Sequence, residues 1–223
     1  MHTPQDILLI DKPKGITSFD VIRRLRRTLN IRKMGHAGTL DPLATGLMII
    51  GIGSGTKKLT DYIKLPKEYI AEVRFGERRS TGDLEGIILE EKTTSNLLEE
   101  DILKELNKMT GILTLPISAY SAIKKDGVPM YKRARNAEKK GETIDDVPAR
   151  DMLVREVELL SFETGEERCV ATIRFAVGSG TYIRSLAEEL GKRVGYPATL
   201  QNLRRTQIGE FRIEDAQTLE EGS

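Results

Sequence analysis

The amino-acid sequence predicts one mixed α/β (α+β) domain, and three observations predict it. Apolar runs of strand length alternate with segments of helical period along the 223 residues. No internal repeat or low-complexity linker interrupts them. At ~100–200 residues per domain, the length suits one large unit over residues 1–223 or two small ones, and the unbroken alternation favours one.

Each element follows from its local pattern. ILLI (7–10) reads as a buried strand ending at the turn DKPKG. Thr17 followed by Asp20 resembles a capping box, opening a helix with apolar Val21, Ile22, Leu25 and Leu29 and arginines on its other face. After a glycine-rich loop, LMIIGIG (47–53) reads as a second buried strand, followed by a short helix near 56–63 and a strand, EYIAEVRF, at 68–75. LLEEDILKELNKM (97–109) has helical spacing and an acidic first turn, with Gly111 as a stop signal. Residues 124–148 are polar, basic and turn-rich, which predicts a protruding excursion. MLVREVELLSF (152–162) and RCVATIRFAV (168–177) alternate as adjacent strands do. GSGTYIRSLAEELGKRVG (178–195) gives a glycine turn and then an amphipathic helix with Ile183, Leu186, Leu190 and Val194 on one side. A last strand surrounds LQNLRRTQIG (200–209).

Composition narrows the chemistry. The net charge is +1, but residues 1–66 hold eleven Lys/Arg against five Asp/Glu. Such a local cationic field attracts polyanions, although an ordinary solvated surface has the same composition. Cys169 is the only cysteine, so no intramolecular disulfide is possible, and with only His2 and His36 no Cys/His metal site is expected. The longest apolar runs, such as LMII, fall far short of the ~20 residues of a membrane helix. MHTPQDILLID shows no signal-peptide pattern, and a soluble cytoplasmic protein is expected.

Several segments could carry chemistry. In GHAGTLDPLATG (35–46), Asp41 is the only carboxylate between Asp20 and Asp61, an interval with eight Lys/Arg. A carboxylate on a stiff glycine- and proline-bounded turn suits a preorganised nucleophile or base; the commoner fate of Asp-Pro is a turn aspartate that bonds its own backbone, and the loop alone favours that. In GTYIR (180–184), Tyr182 and Arg184 fall at a helix start, and Arg184 has two possible partners, Asp41 or Glu188 four residues on. Tyr69 lies in a strand, where it packs at a core edge or stacks on a base. RRLRRTLNIRK (23–33) supplies Arg23, Arg24, Arg26, Arg27, Arg32 and Lys33 with no acid, the pattern of a phosphate-contacting surface. KKDGVPMYKRARNAEKKG (124–141) is a second basic stretch, including Lys124, Lys125, Lys132 and Arg133. GDLEG (82–86) holds two carboxylates, but without further ligands at suitable spacing it reads as a turn.

KPKGITS (12–18), GHAGTLDPLATG (35–46), KEY (67–69), AYSAIKKDG (119–127), GTYIRSLAEELG (180–191) and LRRTQIGEF (203–211) resemble, in that order, the motifs of the tRNA pseudouridine synthase B (TruB) family. The resemblance runs from about residue 5 to 219. It implies a pseudouridine-synthase-like catalytic domain with an extended mixed β-sheet flanked by helices, and isomerisation of uridine to pseudouridine at position 55 in the tRNA T loop. Asp41 would be the catalytic nucleophile, Arg184 would hold it charged and oriented, and Tyr69 would stack on the flipped base. His36 would fill the vacated space and Tyr182 would close the pocket, with Leu200, Gly38 and Thr39 also lining the substrate site. Lys12 and Pro13 would support the catalytic loop. No cofactor, metal, obligate protein or guide-RNA partner is implied; the expected partner is the T arm of tRNA and the expected state a monomer. Family members usually continue into a C-terminal PUA-type domain, whereas this chain stops at IEDAQTLEEGS, so either a naturally compact protein or a truncated form is expected. An RNA-binding tRNA-folding chaperone and a related synthase acting on another RNA are the alternative readings.

Overall fold

The computed structural model describes residues 6–121, 123–138, 147–165 and 167–219. In chain order the elements begin with β1 (Ile7–Lys12), α1 (Ser18–Leu29), β2 (Met34–His36) and β3 (Thr45–Ile52). A 3-10 turn at Gly53–Lys58 leads to α2 (Leu59–Lys64), β4 (Lys67–Phe75) and the hairpin β5 (Glu77–Arg79) and β6 (Ile88–Glu91). Then come α3 (Glu99–Leu106), β7 (Gly111–Pro116), the short pair β8 (Lys124–Lys125) and β9 (Val128–Pro129), and α4 (Met130–Glu138). The chain continues through β10 (Ala149–Glu163), β11 (Cys169–Val177), α5 (Ile183–Val194), β12 (Ala198–Ile208), β13 (Phe211–Arg212) and β14 (Gln217–Thr218).

Ten strands form one mixed sheet in the order β14-β1-β3-β12-β4-β11-β10-β7, with β13 added to β12 and β2 to β3. β4 and β11 alternate buried and half-buried residues along their whole length, as strands with one face on a core must. Ala71, Val73 and Phe75 of β4 and Ile173 and Phe175 of β11 share that core with Ile102 and Leu106 of α3 and Leu186 and Leu190 of α5. β3 is apolar on both faces: Met48 and Ile50 join this core, while Leu47 and Ile49 pack in a second cluster with Ile7, Leu9 and Ile208. Burial on both sides explains why LMII runs without alternation.

Most predicted elements are present, and the differences have local causes. The capping box forms as expected, with the Asp20 N–H donating to Thr17 Oγ1 at 3.1 Å and the Thr17 N–H donating to Asp20 Oδ2 at 2.9 Å. Leu29, however, is exposed, so the buried stripe of α1 is Val21, Ile22 and Leu25. The helix expected near 56–63 is divided into a 3-10 turn and a short α2. Gly111 does not merely stop a helix; it opens the edge strand β7. The basic excursion is also not wholly protruding. Its described residues, 124–138 and 147–148, include β8, β9 and α4, and α4 buries Met130 within the main core and buries Ala134 as well. Residues 139–146 of that segment lie outside the described residues.

One join in the sheet is parallel and unusually close. β3 and β12 meet with Thr45 opposite Arg204 and Gly46 opposite Arg205. Gly46 has φ +106°, and a Cβ there would lie 2.3 Å from the Arg205 carbonyl oxygen, so only glycine permits this approach. We therefore expect Gly46→Ala to destabilise the fold by more than ~2 kcal/mol, because backbone strain and a clash with backbone act together. Gly53→Ala, at φ +54° with nothing within 4 Å of its Cβ, should cost only about 1 kcal/mol. Urea-unfolding midpoints compare the two; equal losses would contradict this account of the join.

Candidate active site

The loop between β2 and β3 is fixed from three sides. Ser18, the first residue of α1, donates its hydroxyl to the Leu40 carbonyl at 3.0 Å and accepts from the Leu40 N–H at 2.8 Å. This one buried side chain satisfies both polar groups of a buried residue, where an unpaired group costs about 1–3 kcal/mol. From β1, the fully buried Lys12 ammonium donates to the carbonyls of Pro13 (2.9 Å), Ile16 (2.8 Å) and Pro42 (3.4 Å). The Gly15 N–H reaches the same Pro42 carbonyl at 2.8 Å. From β12, Arg205, only 1% exposed, donates to the Leu47 carbonyl at 2.7 Å and the Gly38 carbonyl at 3.3 Å. Burial lowers the Lys12 pKa to about 8; Asp41 and Glu85 pull it back upward and Arg205 pushes it down.

Asp41 sits at the centre of these anchors. Its carbonyl accepts the Ala44 N–H at 3.1 Å, which makes the Asp-Pro turn. Its side chain instead approaches Arg184, Nη2 to Oδ2 at 3.1 Å, and stays 40% exposed. The turn is thus closed by main chain alone, and the carboxylate is directed at Arg184 and not at its own backbone.

Arg184 lies in the first turn of α5 and is only 6% exposed. Nη1 donates to the Thr81 carbonyl (2.8 Å) and to Ser118 Oγ (3.0 Å) and stands 3.7 Å from Asp83 Oδ2. The alternative pairing with Glu188 is not formed; burial raises the pKa of that carboxyl, with Arg78 and then Arg184 opposing the rise. Asp83 itself is 3% exposed and accepts from Thr81 Oγ1 at 2.5 Å and from the Glu85 N–H at 3.1 Å. GDLEG is a turn as expected, yet it also supplies an acid to the Arg184 network. Sequence reasoning missed Asp83, Ser118, Ser18 and Arg205. The available signals were the paired acids of GDLEG and the double arginine of LRRTQIGEF.

The remaining predicted residues differ in burial and in their neighbours. Leu200 is buried in the core, and its N–H donates to the Gly82 carbonyl at 3.0 Å, which ties β12 to the Asp83 turn. Tyr182 is the N-cap residue of α5 and is half-buried; burial raises its phenol pKa, Arg150 opposes and Asp41 adds to the rise. Tyr69 is buried on β4, opposite Arg205 of β12 and Phe175 of β11. His36 ends β2 opposite Ile50, and burial followed by the Arg205 charge lowers its imidazole pKa. Thr39 is exposed beside Gly38, and Pro13 is exposed with its carbonyl held by Lys12.

The cationic surface is less free than its sequence suggests. Arg23 ion-pairs with Asp20, a countercharge just outside the basic run. Arg26 donates to the Met34 carbonyl at 3.1 Å and lies over the Phe19 ring at 5.9 Å, so it fastens α1 to β2. Arg27, Arg32 and Lys33 are exposed. Lys132 is exposed on α4, Arg133 pairs with Asp126 at 2.9 Å, and Lys124 and Lys125 form β8. Among the described residues, no helix is long and apolar enough to cross a membrane.

The His36 environment sets a pH dependence. Its folded pKa lies below 6.5, so its contribution to stability is fully present above pH 6.5 and is lost as pH falls through the folded value. The urea midpoint should therefore drop more between pH 7.5 and 5.5 in the parent protein than in His36→Gln. Parallel profiles would contradict the assignment.

Residues 26–183 match the family model described as TruB family pseudouridylate synthase (N terminal domain). The chain is 42% identical over 216 residues to tRNA pseudouridine synthase B of Leifsonia xyli subsp. xyli, covering 96% of this chain and 70% of that protein. Against the protein of the same name from Mycobacteroides abscessus, identity is 40% over 216 residues, covering 96% and 71%. Among solved structures, a chain of a Cbf5-Nop10-Gar1 complex superposes with a TM-score of 0.69 at 25% identity, covering 96% of this chain and 52% of that one. A chain of an H/ACA RNP bound to a substrate RNA containing 2′-deoxyuridine gives 0.67 at 24%, covering 95% and 50%, and shares the fold. This chain thus spans about half the length of those solved chains. By family model, by relatives and by fold, the chain belongs to the TruB family of pseudouridylate synthases.

Proposed function

We propose that this chain isomerises uridine to pseudouridine at position 55 in the T loop of tRNA, with Asp41 as the nucleophile. The observation that carries the reading is the Asp41–Arg184 pair: a partly open carboxylate held at 3.1 Å by a buried guanidinium on an immobilised turn. The relatives' shared name, tRNA pseudouridine synthase B, supports tRNA as the substrate.

Substrate and product are isomers, so the reaction consumes no co-reactant. The N1–C1′ bond breaks, the uracil rotates, a C5–C1′ bond forms, and the proton leaving C5 is balanced by one gained at N1. The base must first leave the loop stack to be reached. Asp41 then attacks the nucleoside, and the negative charge it needs is favoured by Arg184 through opposite charge and hydrogen bonding. Tyr69 offers a ring for stacking on the flipped base, and Tyr182 closes the pocket beside Arg184. Lys12, Ser18 and Arg205 act indirectly, by keeping the turn from relaxing when the substrate arrives. The described residues act as one catalytic domain, in the cytoplasm, on tRNA without a guide RNA and as a monomer.

Incubation with an unmodified tRNA transcript, followed by mapping at single-nucleotide resolution, tests the reading. Pseudouridine should appear at position 55. With Asp41→Asn it should be absent while tRNA affinity stays near the parent value, because size is kept and only the charge and nucleophile are lost. Multiple-turnover isomerisation by the Asn variant, or modification elsewhere, would overturn it.

A further inference from the structure

The segment linking β1 to α1 is clamped to the catalytic corner by two of its own residues. Lys12 and the Gly15 N–H converge on the Pro42 carbonyl, immediately after Asp41. Between them, Lys14 is exposed while Lys12 is buried, so the two lysines of KPKG do opposite things.

The setting of the Lys14 ammonium is unusual for a surface lysine. It donates to Asn202 Oδ1 at 2.6 Å, on β12, 188 residues away in sequence. The Asn202 amide is oriented by its other end, which donates to Glu72 Oε2 at 2.5 Å. Among the described residues, no carboxylate lies within ion-pair distance of Lys14. Its charge is therefore held in place by a neutral acceptor and not neutralised. An ammonium has three donors, and the amide uses one of them.

We infer that Lys14 is a phosphate-binding residue, contacting the RNA backbone beside the nucleotide that enters the Asp41 pocket. A flipped nucleotide carries its flanking phosphates with it, and Lys14 is one residue from the backbone contact that positions Asp41. The Asn202 contact restrains the long side chain, which lowers the entropy lost when a phosphate is bound. The segment leads directly into α1, which places Lys14 just before the N-terminal end of that helix. This assignment rests on the tRNA reading above.

The test is a salt titration of binding to an unmodified tRNA by the full chain, its Lys14→Gln, Lys14→Arg and Asn202→Ala variants, with single-turnover rates at saturating protein. Lys14→Gln should bind several-fold more weakly and flatten the slope of log K against log salt by about one, with its single-turnover rate unchanged. Lys14→Arg should keep the parent slope, and so should Asn202→Ala, since the amide only orients the lysine. A parent-like slope for Lys14→Gln in a chain that modifies tRNA would overturn the Lys14 assignment alone. So would equal losses of unfolding midpoint in Lys14→Gln and Asn202→Ala without a change in slope, which would make the contact a structural brace. A parent chain that neither binds nor modifies tRNA would remove the functional reading itself.

Discussion

Burial of the Arg184 guanidinium is the constraint around which the rest of the site is arranged. A charge this far from water is tolerated only when its donors are used and an opposite charge is close. Here Nη1 is taken by the Thr81 carbonyl and Ser118 Oγ, with Asp83 at 3.7 Å, and Nη2 is turned toward Asp41. The network is asymmetric. Asp83 is almost completely enclosed, whereas the Asp41 carboxylate is 40% exposed. One guanidinium thus joins a closed structural network to an open chemical group, and the orientation of that group is inherited from the core.

The sheet brings these pieces together from distant parts of the chain. Asp41 leaves the loop into β3, which meets β12 in parallel at Gly46 and Arg205. β12 then ties the Asp83 turn through Leu200 and the Asp41 loop through Arg205. α5 presents Arg184 from its first turn because its other buried residues, Leu186 and Leu190 among them, are fixed in the core shared with β4 and β11. Deforming any one of these contacts would move the guanidinium relative to the carboxylate. If Asp41 is the nucleophile proposed above, a small misplacement at this pair is costly to chemistry, since an attacking group must be held near its reacting geometry.

Much of this was legible in the residues, and the failures have a common physical origin. Strands such as EYIAEVRF and RCVATIRFAV announce themselves because alternation is a local property, and the start of α1 does so because its cap is local too. Asp41 stood out through its isolation among cations. The identity of its partner did not, because Glu188 is four residues from Arg184 while Asp41 is reached only through the tertiary fold. Asp83 looked like a turn residue for the same reason: its role depends on a guanidinium 101 residues later in the chain. The arginines of α1 read in sequence as free charge, whereas Arg23 is engaged by Asp20 and Arg26 by the Met34 carbonyl, partners that only the fold brings into view for Arg26. The family resemblance supplied the roles of Asp41 and Arg184, which spacing and charge alone left undecided.

The central claim is that Arg184 acts on Asp41 by geometry as well as by charge. It is tested most directly by the single-turnover rate of Arg184→Lys on a tRNA substrate at saturating protein. Lysine keeps the charge but cannot reproduce a planar group that serves Thr81, Ser118 and Asp41 at once. The account predicts a sharp fall in that rate with tRNA still bound. A rate equal to that of the parent protein would contradict it.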